Sequence, residues 1–214
     1  MRAAAVVAAL IVAAAGLAGV SARRTTADPA PTLLLPPSAP PAALTLGPES
    51  APHTLTIWSD YECSACGLLE REAGPALRRL AESGRIRLEL RHFPLRAHRR
   101  APRAVAAALC AERQGGGWRM HEALTATVAE WARGAPSSPR FTALADSLGL
   151  DHEALGSCLG DDQIAGLLAG DLALGRAQGL VGVPAVFLDG RPLTVRTPRG
   201  LVRRVERAAL IQRP

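Results

Sequence analysis

The chain has 214 residues, with 25 basic and 19 acidic side chains and a formal net charge of +6. Every basic residue is arginine, which excludes a phosphate-loop lysine, a lysine Schiff base and a pyridoxal-phosphate anchor. Hydrophobic residues make up 48% and aromatics only 3%, enough for one folded domain with an aliphatic core and too apolar for wholesale disorder.

Met1-Arg2 gives a short positive start, and from Ala3 to Val20 no residue is charged. Val20-Ser21-Ala22 then supplies small residues at the spacing of a cleavage site, so residues 1–22 read as a signal peptide. The competing reading is an uncleaved N-terminal membrane anchor, because roughly 18 apolar residues can just span a bilayer. Either reading exports the remainder, to the periplasm or the extracytoplasmic face of the membrane, where disulfides persist. Residues 23–47 are rich in Pro and Ala and read as a linker, since proline removes backbone donors and favours extended chain. The folded domain is expected over 48–214.

Thr54 to Ser59 reads as a strand. A helix is expected from about Cys63 through Leu80, with Pro75 kinking or interrupting it. Arg85 to Arg91 alternates polar and apolar residues at period two, the clearest strand signal in the chain. A long helical stretch follows from about His98 to Gln178, broken at Gly115-Gly116-Gly117 and between Gly134 and Pro139. Ala185 to Leu188 reads as a strand, Asp189-Gly190 as a hairpin turn and Pro192 to Val195 as the returning strand. A last helix places Leu201, Val205 and Ala208 on one face and Arg199, Arg203 and Arg207 on another. The order is β-α-β, a helical block, then β-β-α.

Chemistry concentrates at Cys63-Ser64-Ala65-Cys66, a C-x-x-C where a strand gives way to a helix. The free N–H groups and partial positive charge of a helix N-terminus stabilise a thiolate there. Cys63 is the expected nucleophile, and Cys66, a turn inside the helix, the resolving thiol. Half of a zinc site and an inert disulfide are the other readings, but zinc needs two more ligands at sensible spacing. Covalent haem fails, because Gly67 stands where histidine is required. Cys110 and Cys158 read either as buried free thiols or, in an exported chain, as a structural disulfide. Trp118, Met120 and His121 read as packing of the helical block. Arg99, Arg100 and Arg103 read as a solvated face. Basic and aromatic residues are not interleaved, so nucleic acid is not an expected partner.

Ser59 to Cys66 resembles the active-site strand and turn of the DsbA-like thioredoxin-fold thiol:disulfide oxidoreductases. The resemblance continues in register at Arg91 to Leu95, Ala106 to Ala111, Gly117 to His121 and Gly179 to Phe187. It implies an α/β thioredoxin fold with an inserted helical domain at about 97–178. It also implies that Val183-Pro184 is a cis-proline loop beside the cysteine pair, whose backbone pairs with a substrate strand. The implied activity is oxidation of cysteine pairs in exported proteins. Reduction or isomerisation by the same fold, and a non-catalytic binding or chaperone module with a structural Cys63–Cys66 disulfide, are the alternatives. The implied partners are exported proteins with thiols or disulfides, and a membrane reoxidase or reductant partner. Neither an organic cofactor nor a metal is required. Two departures stand out. Ser64-Ala65 lacks the imidazole that many members place before the second cysteine, which implies a less oxidising disulfide. Ile57 stands where members often carry a buried acid that handles the resolving thiol's proton, and Asp60 or Glu62 is the expected substitute in a proton relay.

Overall fold

A computed structural model describes residues 42–132, 138–194 and 196–211. The signal peptide or anchor at 1–22 and most of the linker span lie outside the described residues. Among the described residues, no helix is long and apolar enough to cross a membrane.

The sheet has five strands in the order β1-β3-β2-β4-β5. They are β1 Leu44–Leu46, β2 Thr54–Ser59, β3 Arg87–His92, β4 Ala185–Leu188 and β5 Arg191–Pro192. β2 lies at the centre, parallel to β3 from Thr54↔Arg87 to Ser59↔His92 and antiparallel to β4 from Leu55↔Leu188 to Trp58↔Ala185. Burial on both faces explains why β2 alternates poorly in sequence. On one face, Leu55, Ile57, Leu88 and Leu90 pack with Leu69, Ala73 and Leu77 of α1 (Ser64–Glu82) and with Leu201 and Val205 of α8 (Pro198–Ala208). Trp58, Phe93, Leu180 and Phe187 form a separate cluster. Few aromatics are present, and most are sunk in these clusters.

Between β3 and β4 lies the helical insert: α2 Ala101–Glu112, α3 Gly117–Ala126, α4 Val128–Trp131, α5 Ser138–Ser147, α6 His152–Cys158 and α7 Asp162–Ala177. The frame is a thioredoxin fold with an inserted helical domain, as the motif order implied. α2 is buried at Ala104, Val105, Ala107, Ala108, Leu109, Cys110 and Ala111, nearly all round its circumference. Small side chains there let neighbouring helices approach closely, which is how an alanine-rich chain fills a core with few rings. At Gly175 in α7 an added Cβ would stand 2.6 Å from the Phe93 ring, so only glycine allows that contact. Cys110 and Cys158 are joined by a disulfide that ties α2 to α6 across 48 positions.

Three local expectations need correction. β1 lies inside the span read as linker, paired antiparallel to β3 from Leu44↔Leu90 to Leu46↔Leu88. Ala42 and Leu44 are buried, so the fold begins before residue 48. The chain then turns at Gly47 with φ +89°, where a Cβ would stand 2.5 Å from the Ile86 carbonyl oxygen. Pro75 does not divide α1, because it is exposed and Cys66, Leu69, Ala73, Leu77 and Leu80 carry one buried stripe past it. The returning strand is only Arg191–Pro192. Asp189 (φ 52°) and Gly190 (φ 75°) make the left-handed turn their sequence signals, but proline then removes a ladder donor at the sheet edge.

The insert is fastened to the sheet by Asp171 of α7. Its carboxylate accepts from the Arg91 guanidinium at 2.9 Å and from the His92 backbone N–H at 2.8 Å, all nearly buried. Burial raises the Asp171 carboxyl, but its interactions with His92 and Arg91 outweigh that and hold it below the usual range. Asp171→Asn keeps the shape but must turn an NH2 toward one of these donors. It is expected to cost about 2 kcal/mol, as a lost hydrogen bond to a charged group does, read by urea denaturation. A change under about 0.5 kcal/mol would show that the pair contributes nothing net.

Candidate active site

β2 ends at Ser59, the chain turns through Asp60-Tyr61-Glu62, and α1 starts at Ser64. Cys63 is the N-cap residue, with φ −79° and ψ 115°. Its N–H donates to the Asp60 carbonyl at 3.1 Å and its carbonyl accepts from Gly67 N–H at 3.0 Å, so the backbone on both sides is fixed. No side chain caps this helix and its first turn holds no acid. The free N–H groups of the turn therefore face no carboxylate that would compete with sulfur for them. Cys63 is partly exposed and Cys66 is buried; both are free thiols.

The Val183-Pro184 peptide is cis, and the Val183 carbonyl accepts from the Cys63 thiol at 3.6 Å. The structure thus brings together Cys63, Cys66, Val183 and Pro184 from two distant stretches of sequence. Val181 is fully exposed and Leu68 is 42% exposed, two apolar side chains on segments that carry the site.

Cys66 lies against the core. Burial first, and the hydrogen bond with Cys63 second, push its thiol up to about 12, against smaller lowering influences from the Asp60 backbone and the Ser59 side chain. The protonated form of the buried thiol is therefore the favoured one when the disulfide is open.

Asp60 and Glu62, the residues expected to form a relay, are both engaged by donors of the turn and of residues 95–101. Asp60 is buried; its Oδ1 accepts from Glu62 N–H at 2.8 Å, and its Oδ2 accepts from Leu95 N–H at 2.8 Å and pairs with His98 Nδ1 at 2.6 Å. Glu62 Oε2 accepts from the backbone N–H of Arg100 and of Ala101, at 2.7 Å each. Glu62 thus supplies an acceptor at the start of α2. The two carboxylates pin the active-site turn to residues 95–101.

Ile57 instead lines a cavity of about 20 Å³ that it shares with Ser59, Cys66, Glu70 and His121. Two titratable groups missed in the sequence, Glu70 and His121, thus line the same cavity as Cys66. His121 Nδ1 is 3.1 Å from the Tyr61 hydroxyl, and its Nε2 is 3.2 Å from Glu70 Oε2, though not in hydrogen-bond alignment. Glu70 is also paired with Arg78, whose Nε is 2.8 Å from Glu122 Oε1. Burial would raise the Glu70 carboxyl, but His121 and Arg78 outweigh it and bring it down to about 2. Tyr61 is raised well above the usual phenol range by burial, then by the Glu70 charge, and stays a neutral phenol. One signal was available: Cys66 and Glu70 are four apart and so share a helix face. His121 carried none, because only tertiary packing turns α3 toward α1.

A thioredoxin frame, a C-x-x-C at the head of its first helix and a cis-proline beside the outer sulfur define a DsbA-like thioredoxin-fold protein. The thioredoxin family model matches residues 40–207, and the chain belongs to that family. Solved structures of similar fold include BdbD of Bacillus subtilis, with TM-score 0.68 and 17% identity over 78% of this chain and 92% of that one. Another is alpha-DsbA1 of Wolbachia pipientis, with TM-score 0.66 and 18% identity over 78% and 92%. MdbA of Corynebacterium diphtheriae, a thiol-disulfide oxidoreductase, has TM-score 0.63 and 21% identity over 76% and 85%. Among curated proteins, Na(+)/H(+) antiporter NhaA 3 of Salinispora tropica is 34% identical over 147 residues, which is 68% of this chain but 21% of that protein. The chain therefore matches only about a fifth of that relative's length.

Proposed function

We propose that this protein is an exported thiol:disulfide oxidoreductase that oxidises cysteine pairs in other exported proteins through a Cys63–Cys66 disulfide. The observation that carries this reading is the asymmetry of the pair: Cys63 is reachable at a helix N-terminus beside the Val183 carbonyl, and Cys66 is buried behind it. A client thiolate attacks the Cys63 sulfur, a client–Cys63 bond forms, and the Cys63–Cys66 bond breaks with Cys66 leaving as thiolate. A second client thiolate then attacks its own chain's sulfur and releases Cys63 as thiolate, so the client is oxidised and the enzyme reduced. The client strand lies along Val183-Pro184 by backbone pairing. A membrane partner bearing a disulfide or an equivalent oxidant restores the oxidised pair. The match to a segment of a protein named as a Na(+)/H(+) antiporter supports action at a membrane.

Equilibration with glutathione separates an oxidase from a reductase. The expected potential is less negative than that of thioredoxin, about −270 mV, and short of the strongest oxidants near −120 mV, because Ser64-Ala65 offers the thiolate no imidazole. A value at or below thioredoxin's would assign the chain to the reducing direction.

A further inference from the structure

We propose that His121, held by Tyr61 and Glu70, carries the proton of the resolving thiol Cys66 through a single water in the cavity the two residues share. This rests on the oxidoreductase reading above and names the group that does the work of the acid replaced by Ile57.

The cavity fixes the candidates. Its volume of about 20 Å³ suits one water, which needs polar partners, and Ser59, Cys66, Glu70 and His121 supply them. His121 is 3% exposed and its Nε2 has no aligned hydrogen-bond partner, an arrangement a buried ring keeps only at a cost unless water completes it. Asp60 and Glu62 are held by other donors, so neither competes.

The surroundings set the chemistry of the ring. Tyr61 comes from the turn before α1, and its hydroxyl hydrogen-bonds Nδ1 at 3.1 Å; in the tautomer where Nδ1–H donates, Nε2 is the nitrogen that gains and loses the proton. Glu70 of α1 places a carboxylate 3.2 Å from Nε2 and so balances the charge when the ring is protonated. Arg78 of α1 holds that carboxylate, and Glu122 of α3 holds Arg78. His92 of β3 stacks on Tyr61 at 5.8 Å between centroids and keeps the phenol in place. Cys63, the N-cap residue of α1, completes the charged and titratable groups about the site. Glu70 thus acts as a positioning residue, and His121 as the carrier.

The step balances in both directions. During reoxidation, Cys63 is bonded to a partner sulfur. The Cys66 proton passes through the water to Nε2, the Cys66 sulfur bonds to Cys63, and the Cys63–partner bond breaks with the partner sulfur leaving as thiolate. During client oxidation, Cys66 leaves as thiolate and the protonated ring returns the proton.

The test uses the full chain, reduced, and 5,5′-dithiobis(2-nitrobenzoate). Cys63 attacks first and releases one nitrothiobenzoate, and Cys66 then attacks the resulting mixed disulfide and releases the second. Stopped-flow absorbance reads the two phases across a pH series. In His121→Gln the first phase is expected to be unchanged. The second phase is expected to slow about a hundredfold near neutral pH, within the range of general acid–base effects, and to climb with hydroxide until the difference closes. Glu70→Gln, which is isosteric, carries the same test if the histidine variant does not fold. There the midpoint of the second-phase profile moves to lower pH, because no carboxylate balances the protonated ring. A second phase within twofold of the unaltered chain at every pH, in whichever variant folds, overturns the proposal. An unaltered chain that releases no nitrothiobenzoate at all overturns the oxidoreductase reading and the proposal with it. One that shows the first phase and no second leaves Cys63 reactive and overturns the relay.

Discussion

Cys66→Ala is expected to accumulate client proteins as mixed disulfides on Cys63, and Cys63→Ala to accumulate none. Both variants should lose oxidation of a reduced protein substrate down to the uncatalysed background. The asymmetry follows from access: Cys63 is partly exposed beside Val183, whereas Cys66 is sealed against the core with its proton held until about 12. Once Cys66 is gone, a client bound to Cys63 loses one of its two exits, because the thiol that would have returned it is absent. Nonreducing gels and mass spectrometry of the trapped species read the result. A binding module that used Cys63–Cys66 only as a staple would trap nothing in either variant and would keep its activity in both.

The Cys110→Ala/Cys158→Ala double variant should lose about 4 kcal/mol of stability, because the bridge closes a loop of 48 positions in the unfolded chain. For a domain of this size that is a fall in Tm of about 10 °C. Alanine is the informative replacement. Cys110 is 1% exposed, and a serine hydroxyl there would add the separate cost of an unpaired polar group. The effect should appear in thermal unfolding of the oxidised chain and vanish when both proteins are fully reduced. A difference under about 2 °C would mean that packing of α2 against its neighbours, rather than the bridge, orders the insert.

The sequence disclosed elements whose signals are local. The period-two alternation before His92 marks β3, and Asp189-Gly190 marks a tight turn that joins adjacent sheet strands. The C-x-x-C was legible as a pair at a strand–helix junction, and the structure places it there. β1 was hidden because three residues in a proline-rich stretch carry no periodicity, and only pairing with Leu88 and Leu90 makes them a strand. The work of Asp60 and Glu62 was equally invisible. Their partners lie 35 to 39 positions away, and a carboxylate in a turn looks the same whether it caps a distant helix or meets solvent. The pairing of Glu70 with His121 depends on how α3 settles against α1, which no spacing reports.

Glu62 has one consequence for engineering. The residue immediately before Cys63 spends its carboxylate on the first amides of α2, and Asp60, two places earlier, holds Leu95 and His98. The tetrapeptide from Cys63 to Cys66 is therefore not a portable cassette. Moved into another scaffold without residues 95–101, it would arrive without the clamp that sets its angle. Conversely, replacing the whole insert with a foreign helical domain would change the reactive turn even if Cys63 through Cys66 were left untouched.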